Sequence, residues 1–433
     1  RYKVIVIGAG FAGLSTAVQL KKLGISDFLI LEARGNIGGR VRQITFCGSE
    51  YSIGPEWLHG QTSNPIFHLA KAELGLKVRN SEYDKFYFTD PSNLSVTNRQ
   101  KLFKSKFNKL RKAVDDKLAN FSFESLENKS ISEVLKIDAN QTDTLSQFIN
   151  YWAFNFENGL ESDKFSALLY KMSSDIYNNV HSFSDFHFVE NDSFIKIINY
   201  FRASAGLNDK NIRFNEKVEK LFCEEDKIKI VTTSGKEYLA EYCICTIPIS
   251  VIGKHLIKIQ PDFSNEIYET ISKLKFSTYS RVFVELPKPN WINNYDWLVH
   301  LSDDFENEIC LWKNPNDHPK TLIGHIYNLS KSISHNLERK IEISLKHILG
   351  NEYRGINDFQ VFCLENCPYS FGSFPTASSE FNMKDVENLK SFNNSSRLLF
   401  AGDSYTLEYF GTVQGAFNTG IHAANAVSSK LYR

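Results

Sequence analysis

The sequence predicts an α/β fold in which a parallel-sheet unit is interrupted by a discontinuous α+β unit. Three observations predict it. Residues Lys3 to Ile7 form a short apolar run, as a parallel strand buried on both faces does. A turn carrying three glycines follows at once, and Leu14, Ala17, Val18 and Leu20 then recur at helical spacing up to Leu23. The interior changes period. It is helical near Leu102–Val114 and Leu145–Phe156, and strand-like at Arg281–Leu286, Trp297–Leu301, Ile309–Trp312, Thr321–Tyr327 and Phe359–Leu364.

In the first unit, Gly8-Ala9-Gly10-Phe11-Ala12-Gly13 joins strand to helix, Gly24 ends the helix, and Asp27 to Leu31 makes a second strand ending at Glu32. Each part has a physical task. Gly8 permits the tight turn, Gly10 lets backbone approach a diphosphate, and Gly13 lets helix and strand pack closely. The helix start, with the N–H groups around Phe11 and Ala12, offers partial positive charge. Glu32 stands where a carboxylate accepts hydrogen bonds from a ribose. Strand, glycines, helix and acid together make a dinucleotide site the reading here. The next stretch, Glu32-Ala33-Arg34 to Gly38-Gly39-Arg40-Val41, adds a second glycine-lined approach and an arginine fork for the diphosphate.

Composition narrows the classes. The 433 residues allow two to three domains, and 42% are hydrophobic and 23% charged. Fifty basic residues balance fifty acidic ones, which argues against a nucleic-acid binder. The basic stretch Lys101 to Lys112 alternates with Leu102, Phe103, Phe107 and Leu110, so a solvated helix face is preferred to a partner site. No run of about twenty apolar residues is present, so no membrane span is expected. The chain begins at Arg1, which suggests a removed leader or tail, and Ser-Lys-Leu at 429–431 is not terminal. Sequons at Asn93, Asn120, Asn128, Asn140, Asn191, Asn328, Asn393 and Asn394 keep both a cytoplasmic and a secreted origin open. Of seven cysteines, Cys243 and Cys245 share a strand face and cannot comfortably bond each other, whereas Cys363 and Cys367 could pair. No His/Cys spacing reads as a metal site.

Longer motifs carry a resemblance. The Gly38-Gly39 doublet after the acid is typical of glutathione-reductase-like FAD-binding Rossmann domains. Ser52-Ile53-Gly54-Pro55-Glu56-Trp57-Leu58-His59-Gly60, then Asn64-Pro65 and Gly75-Leu76, resemble the segment that passes beside the isoalloxazine ring in flavin-containing amine oxidases. Ile212 to Val218 is similar to the family strand whose Val brackets the adenine. Tyr242 to Pro248 is similar to the strand that returns to the cofactor domain. Asn191-Asp192-Ser193 stands where the family has a glycine-rich helix start. Arg397 to Gly402-Asp403, then Tyr409-Phe410-Gly411-Thr412-Val413 through Gly420, resemble the second FAD signature and the helix covering the flavin. The resemblance runs from residue 3 to about 428 and is closest to polyamine and spermine oxidases.

It implies noncovalent FAD, since no Cys stands at the covalent-flavin place. It also implies hydride transfer from the carbon beside a neutral amine nitrogen to flavin N5, with molecular oxygen as acceptor and aldehyde and hydrogen peroxide as products. By the same resemblance His59 lines the amine tunnel, residue 281 faces N5, and Phe374 and Thr412 form the walls of a half-aromatic cage that suits a slender aliphatic amine. The FAD domain is expected at 1–76, 205–262 and 390–433, and the substrate domain at 77–204, mostly helical, and 263–389.

Several residues depart from the family. Arg281 replaces a Lys that holds a water, and it could hold that water, slow reoxidation or bind a carboxylate. Leu364 replaces a Trp, and Asp403 a Glu. Polyamine specificity needs carboxylates for distal ammonium groups. Glu56, Glu157, Asp163 and Glu365 are candidates, each read first as an ordinary surface or capping residue. Two alternatives stay open. One is an L-amino-acid oxidase, although Glu56 and Trp57 follow Gly54-Pro55 where such enzymes place an Arg. The other is a catalytically weak FAD-binding scaffold. The long helical-hairpin insertion of the histone demethylases is absent.

Overall fold

A computed structural model describes the chain except residues 61–63, 81–84, 90–94, 137–142, 181–184, 189–192, 291, 293, 303–308, 316, 328–335, 366, 393–396 and 433. Asn93, Asn140, Asn191 with Asp192, Asn328, Asn393 and Asn394 therefore lie outside the described residues.

The apolar run at the start becomes the strand Tyr2–Ile7, with Val4, Ile5 and Val6 fully buried, because both its faces are covered. It pairs in parallel with Phe28–Leu31 on one side and Glu237–Cys245 on the other. The helix Phe11–Lys22 crosses between the first two strands, and Gly24 at φ +76° turns the chain out of it. Glu237–Cys245 is long enough to serve two partners. Its first half pairs antiparallel with Ile228–Thr232, and its second half pairs in parallel with Leu398–Phe400 near the end of the chain. The eight-stranded sheet thus binds three distant stretches of sequence. Its far edges are Ile212–Arg213 and Lys258–Gln260.

A second sheet has six strands in the order Asp358–Cys363, Tyr279–Glu285, Thr321–Tyr327, Leu311–Lys313, Trp297–His300 and Phe86–Thr89. Helix Leu337–Leu349 supplies Ile341, Leu345 and Ile348 to one core, with Trp312 and Val282. On the other face Phe283 and Ile323 pack against Phe46, Tyr51 and Ile53 of the hairpin Arg42–Phe46 and Ser49–Ile53. There Arg281 lies directly across from His325, and Phe362 lies across from Arg281 on the other side. Side chains on facing residues of neighbouring strands share a sheet face, so this register decides which groups meet.

Three expectations need correction. The stretch 77–204 is not simply helical. Val78–Asn80 and Asp185–Phe188 join Trp57–His59 in a small sheet, and Phe86–Thr89 extends the six-stranded sheet. In Phe86-Tyr87-Phe88-Thr89 the aromatic residues alternate between buried and half-buried positions, and pairing with Trp297–His300 outweighs the helical surroundings. Ile212 to Val218 is not one strand. Asn215 takes φ 59°, and the chain leaves one edge of the sheet and re-enters near the other as Val218–Cys223. Cys363 and Cys367 are free thiols, because Cys363 ends a strand while Cys367 sits in a turn whose N–H donates back to Leu364 O at 3.1 Å.

The basic stretch lies within the helix Val96–Leu118, which buries Phe103 and Phe107 and turns Lys101, Lys104 and Lys109 to solvent. No described helix is long and apolar enough to cross a membrane.

Candidate active site

The glycines of the first turn act through space. A Cβ on Gly13 would lie 2.0 Å from Gly8 O, so only glycine lets the helix start close on the strand. Gly10 and Gly39 face each other: a Cβ on Gly39 would meet Gly10 Cα at 3.2 Å. Gly38 N–H donates to Ala9 O at 2.8 Å, which fastens the two glycine segments together. Gly10 is the N-cap of the helix and no side chain caps it, so its first N–H groups remain directed at the groove. Glu32 is buried. Its Oε2 accepts from Ala9 N–H (2.7 Å) and its Oε1 from Arg34 N–H (2.9 Å). Burial raises its carboxyl above the ordinary value and outweighs these bonds. An uncapped helix start beside two abutting glycine backbones fits an anionic diphosphate.

Arg40 and Asp403 join the two ends of the sequence. Arg40 Nη1 and Nη2 donate to the two carboxylate oxygens at 2.7 and 2.6 Å, a bidentate pair, and Nη1 also donates to Ser373 O at 3.0 Å. The predicted diphosphate arginine is therefore engaged by the second signature. Arg34 Nη1 donates to Gly39 O at 2.8 Å. Beyond this pair the last helix, Val413–Leu431, begins at Thr412, whose hydroxyl accepts from Gly415 N–H at 3.2 Å. Gln414 Nε2 donates to His59 O at 3.3 Å, which ties the helix start to Trp57–His59. Gly411 packs on Pro375, so the Phe374 wall and the Thr412 wall meet.

All these groups line one continuous cavity of about 1140 Å³. It runs from Gly8, Gly10, Phe11, Ala12, Glu32, Ala33, Arg34 and Val218, past Gly38, Gly39, Arg40, Gly402 and Asp403. It continues to Gly54, Pro55, Glu56, Trp57, His59, Arg281, Phe374, Gly411, Thr412 and Val413. Of the residues expected to hold the dinucleotide or face the amine, Gly13 alone is off this wall, in keeping with its packing role. Leu364 lines the cavity, whereas Asp163 and Glu365 do not.

Glu56 requires a correction. It is not a surface or capping residue but the centre of a buried ionic cluster. Its Oε1 accepts from Lys313 Nζ at 3.0 Å, and its Oε2 lies 2.9 Å from His325 Nε2 and 3.4 Å from Arg281 Nη2. Arg281 also donates to Gly54 O at 2.6 Å. Burial works against the Glu56 charge, but Arg281, Lys313 and His325 together hold its carboxyl well below the ordinary range. Burial holds His325 below its ordinary value, against the pull of Glu56.

Sequence reading also missed an aromatic wall. Trp57 stacks on Trp297 with centroids 5.7 Å apart, and Trp152 stacks on Phe156 at 4.8 Å. Trp152 and Phe156 lie on a π-helical turn, Tyr151–Phe156, a geometry that widens the helix and often marks functional sites. Tyr279, two residues before Arg281 on the same strand face, brings its ring 5.7 Å from Phe374 and donates its hydroxyl to Phe156 O. The two-residue strand period was a signal that could have found it. Glu157 follows at the end of this turn and lines the cavity beside Tyr170, with Asp115 further along.

Comparison of the sequence with known proteins points to one family. The family of flavin containing amine oxidoreductases matches residues 11–428. Polyamine oxidase 1 of Zea mays is 22% identical, with 98% of this chain and 89% of the relative covered. Polyamine oxidase 7 of Oryza sativa subsp. japonica is 23% identical, with 67% and 64% covered. Lysine-specific histone demethylase 1 homolog 3 of the same rice is 25% identical, with 97% and 53% covered. With a match over nearly all of its length, the chain belongs to the flavin-containing amine oxidoreductases, whose cofactor is FAD.

Proposed function

We propose that this protein oxidises a polyamine, such as spermine, spermidine or an acetylated form, with oxygen as acceptor. The supporting observation is the single cavity that joins the dinucleotide groove to the Phe374–Thr412 walls and runs on to the carboxylates Glu157 and Asp115. FAD, held noncovalently in a glutathione-reductase-like domain at 1–76, 205–262 and 390–433, supplies two-electron oxidation of the carbon–nitrogen bond and return of the electrons to oxygen as peroxide. The resulting imine takes up water and splits to an aldehyde and an amine.

The protein's own groups orient and desolvate the substrate. Phe374 and Tyr279 make a slot for a methylene chain, and Thr412 leaves the opposite wall narrow but not aromatic. Trp57, Trp297 and Phe156 keep water from the reacting carbon. Glu157 receives an ammonium group distant from the reacting nitrogen. The substrate domain we assign to 77–204 and 263–389 supplies these groups.

Peroxide release from the purified yellow protein tests this. Spermine, spermidine, N-acetylated polyamines, butylamine and L-amino acids are compared. Release with polyamines is expected, and release with L-amino acids alone would reject the proposal. Glu157→Gln is expected to raise KM for spermine about tenfold, the worth of one charge-assisted contact, and to leave KM for butylamine unchanged.

A further inference from the structure

The ionic cluster does not balance. Glu56 carries one negative charge. Arg281 is permanently charged, and Lys313 donates its Nζ to the carboxylate at 3.0 Å as a second base. His325, on the strand facing Arg281, is held neutral by burial. One positive charge is left over on a wall where the Glu56, Arg281 and Lys313 side chains are only 10 to 16% exposed. Among the described residues no further hydrogen bond takes up Nε or Nη1 of Arg281, which lines the cavity. The other ionisable groups around the cluster do not cancel the excess. Arg79 and Asp296 pair with each other at 2.6 Å, and Tyr279 is a phenol that burial keeps protonated. His59 lines the same cavity, and Glu157 follows Phe156, whose ring lies 5.0 Å from that of Tyr279, and acts on both Tyr279 and Tyr170.

The charges along the cavity therefore have an order: positive at Arg281, then Tyr279 and Phe156, then a group in which the three acids Glu157, Asp115 and Asp116 outnumber the two bases Arg111 and Lys112. We infer that Arg281 and Lys313, anchored by Glu56, form a fixed positive pole that excludes an ammonium group from the reacting position, so a polycationic amine binds with its charged nitrogens toward Glu157 and its uncharged nitrogen at the pole. This rests on the amine oxidation proposed above. Glu56 is then a positioning residue and not an ammonium receptor. No general base is required at the pole. The excess charge makes the proton on a nearby nitrogen easier to lose to water, and the electron pair left on nitrogen is what oxidation needs. Lys313 sets the size of the excess without touching the substrate.

The test is a sign test on charge. Lys313→Met brings the cluster to zero, and Glu56→Gln brings it to two positive charges while keeping an acceptor in place. Rapid-mixing reduction of the bound flavin, without oxygen, is followed from pH 6 to 10 with spermine and, in parallel, butylamine. The acid limb of the rate is expected about one pH unit higher in Lys313→Met and lower in Glu56→Gln, from a unit charge acting through several ångströms of protein. A merely structural role would lower the rate at every pH and leave the limb in place, and that outcome overturns the inference. Should butylamine but not spermine reduce the flavin, the polyamine reading fails while the limb test still decides this one. Propionate binding, measured by calorimetry on the FAD-loaded protein, provides a readout independent of turnover. It is expected to weaken about tenfold in Lys313→Met, and unchanged affinity would count against the pole. If Glu56→Gln is recovered without flavin, Lys313→Met decides alone, since Arg281 and Glu56 remain paired in it.

Discussion

Gly13→Val is expected to give a colourless protein with a lowered melting temperature, and Gly10→Ala a colourless protein that melts as the wild-type apoprotein does. The two glycines lie three residues apart in one turn, yet they fail for different reasons. At Gly13 the added Cβ would lie 2.0 Å from Gly8 O and 3.0 Å from Gly8 C. These are backbone atoms inside the strand–helix junction and cannot swing aside. The helix must lift, which overpacks the junction by about 1–3 kcal/mol and moves the N–H groups off the groove. At Gly10 the backbone is at φ −80°, which any residue adopts, and the nearest atom to a Cβ is Gly39 Cα at 3.9 Å. The fold therefore accepts alanine there, and the methyl group occupies the space where the diphosphate approaches. Flavin absorbance after purification and thermal melting of the flavin-free proteins separate the two. A yellow Gly13→Val protein with an unchanged melting temperature would contradict the close-packing role.

This pair also marks where the sequence is legible. The glycine turn, the helix after it and Glu32 are local, so spacing alone carries them. The strand Thr321–Tyr327 was readable for the same reason, since Leu322, Ile323, Ile326 and Tyr327 are strand-forming residues close together in sequence. What could not be read is what depends on pairing across distance. Arg281 and His325 are forty-four residues apart and become neighbours only because their strands pair in one register. Lys313 arrives from a third strand and Glu56 from a loop in the other half of the molecule. A carboxylate after Gly54-Pro55 has no period that distinguishes a surface residue from the centre of a buried cluster. Likewise the π-helical turn at Tyr151–Phe156 reads in sequence as an ordinary apolar helix, and the extra residue in its turn is a product of packing.

The same cluster makes the protein acid-labile in two stages. His325 is held below its ordinary 6.5 by burial, so the unfolded chain takes up a proton that the folded one refuses. Stability therefore falls as pH drops below 6.5. Glu56 is held well below 4.5 because Arg281, Lys313 and His325 together outweigh the burial that opposes its charge. Its contribution is complete above the unfolded value and is lost as pH falls from there through the depressed folded value. His325→Gln removes the first stage and leaves the second. Denaturant unfolding at pH 8, 6.5 and 5 is expected to give a wild-type curve steeper than that of His325→Gln between the last two values, by up to about 1.4 kcal/mol per pH unit for one proton. Glu56→Ala is expected to cost about 3–5 kcal/mol at pH 7, since it strands Arg281 and Lys313 together in a buried wall. Lys313→Met in the Glu56→Ala background should recover part of that loss, because it removes one of the two stranded charges. Two curves that stay parallel between pH 6.5 and 5, or a double variant no more stable than Glu56→Ala, would show that the cluster is more open to water than its burial indicates.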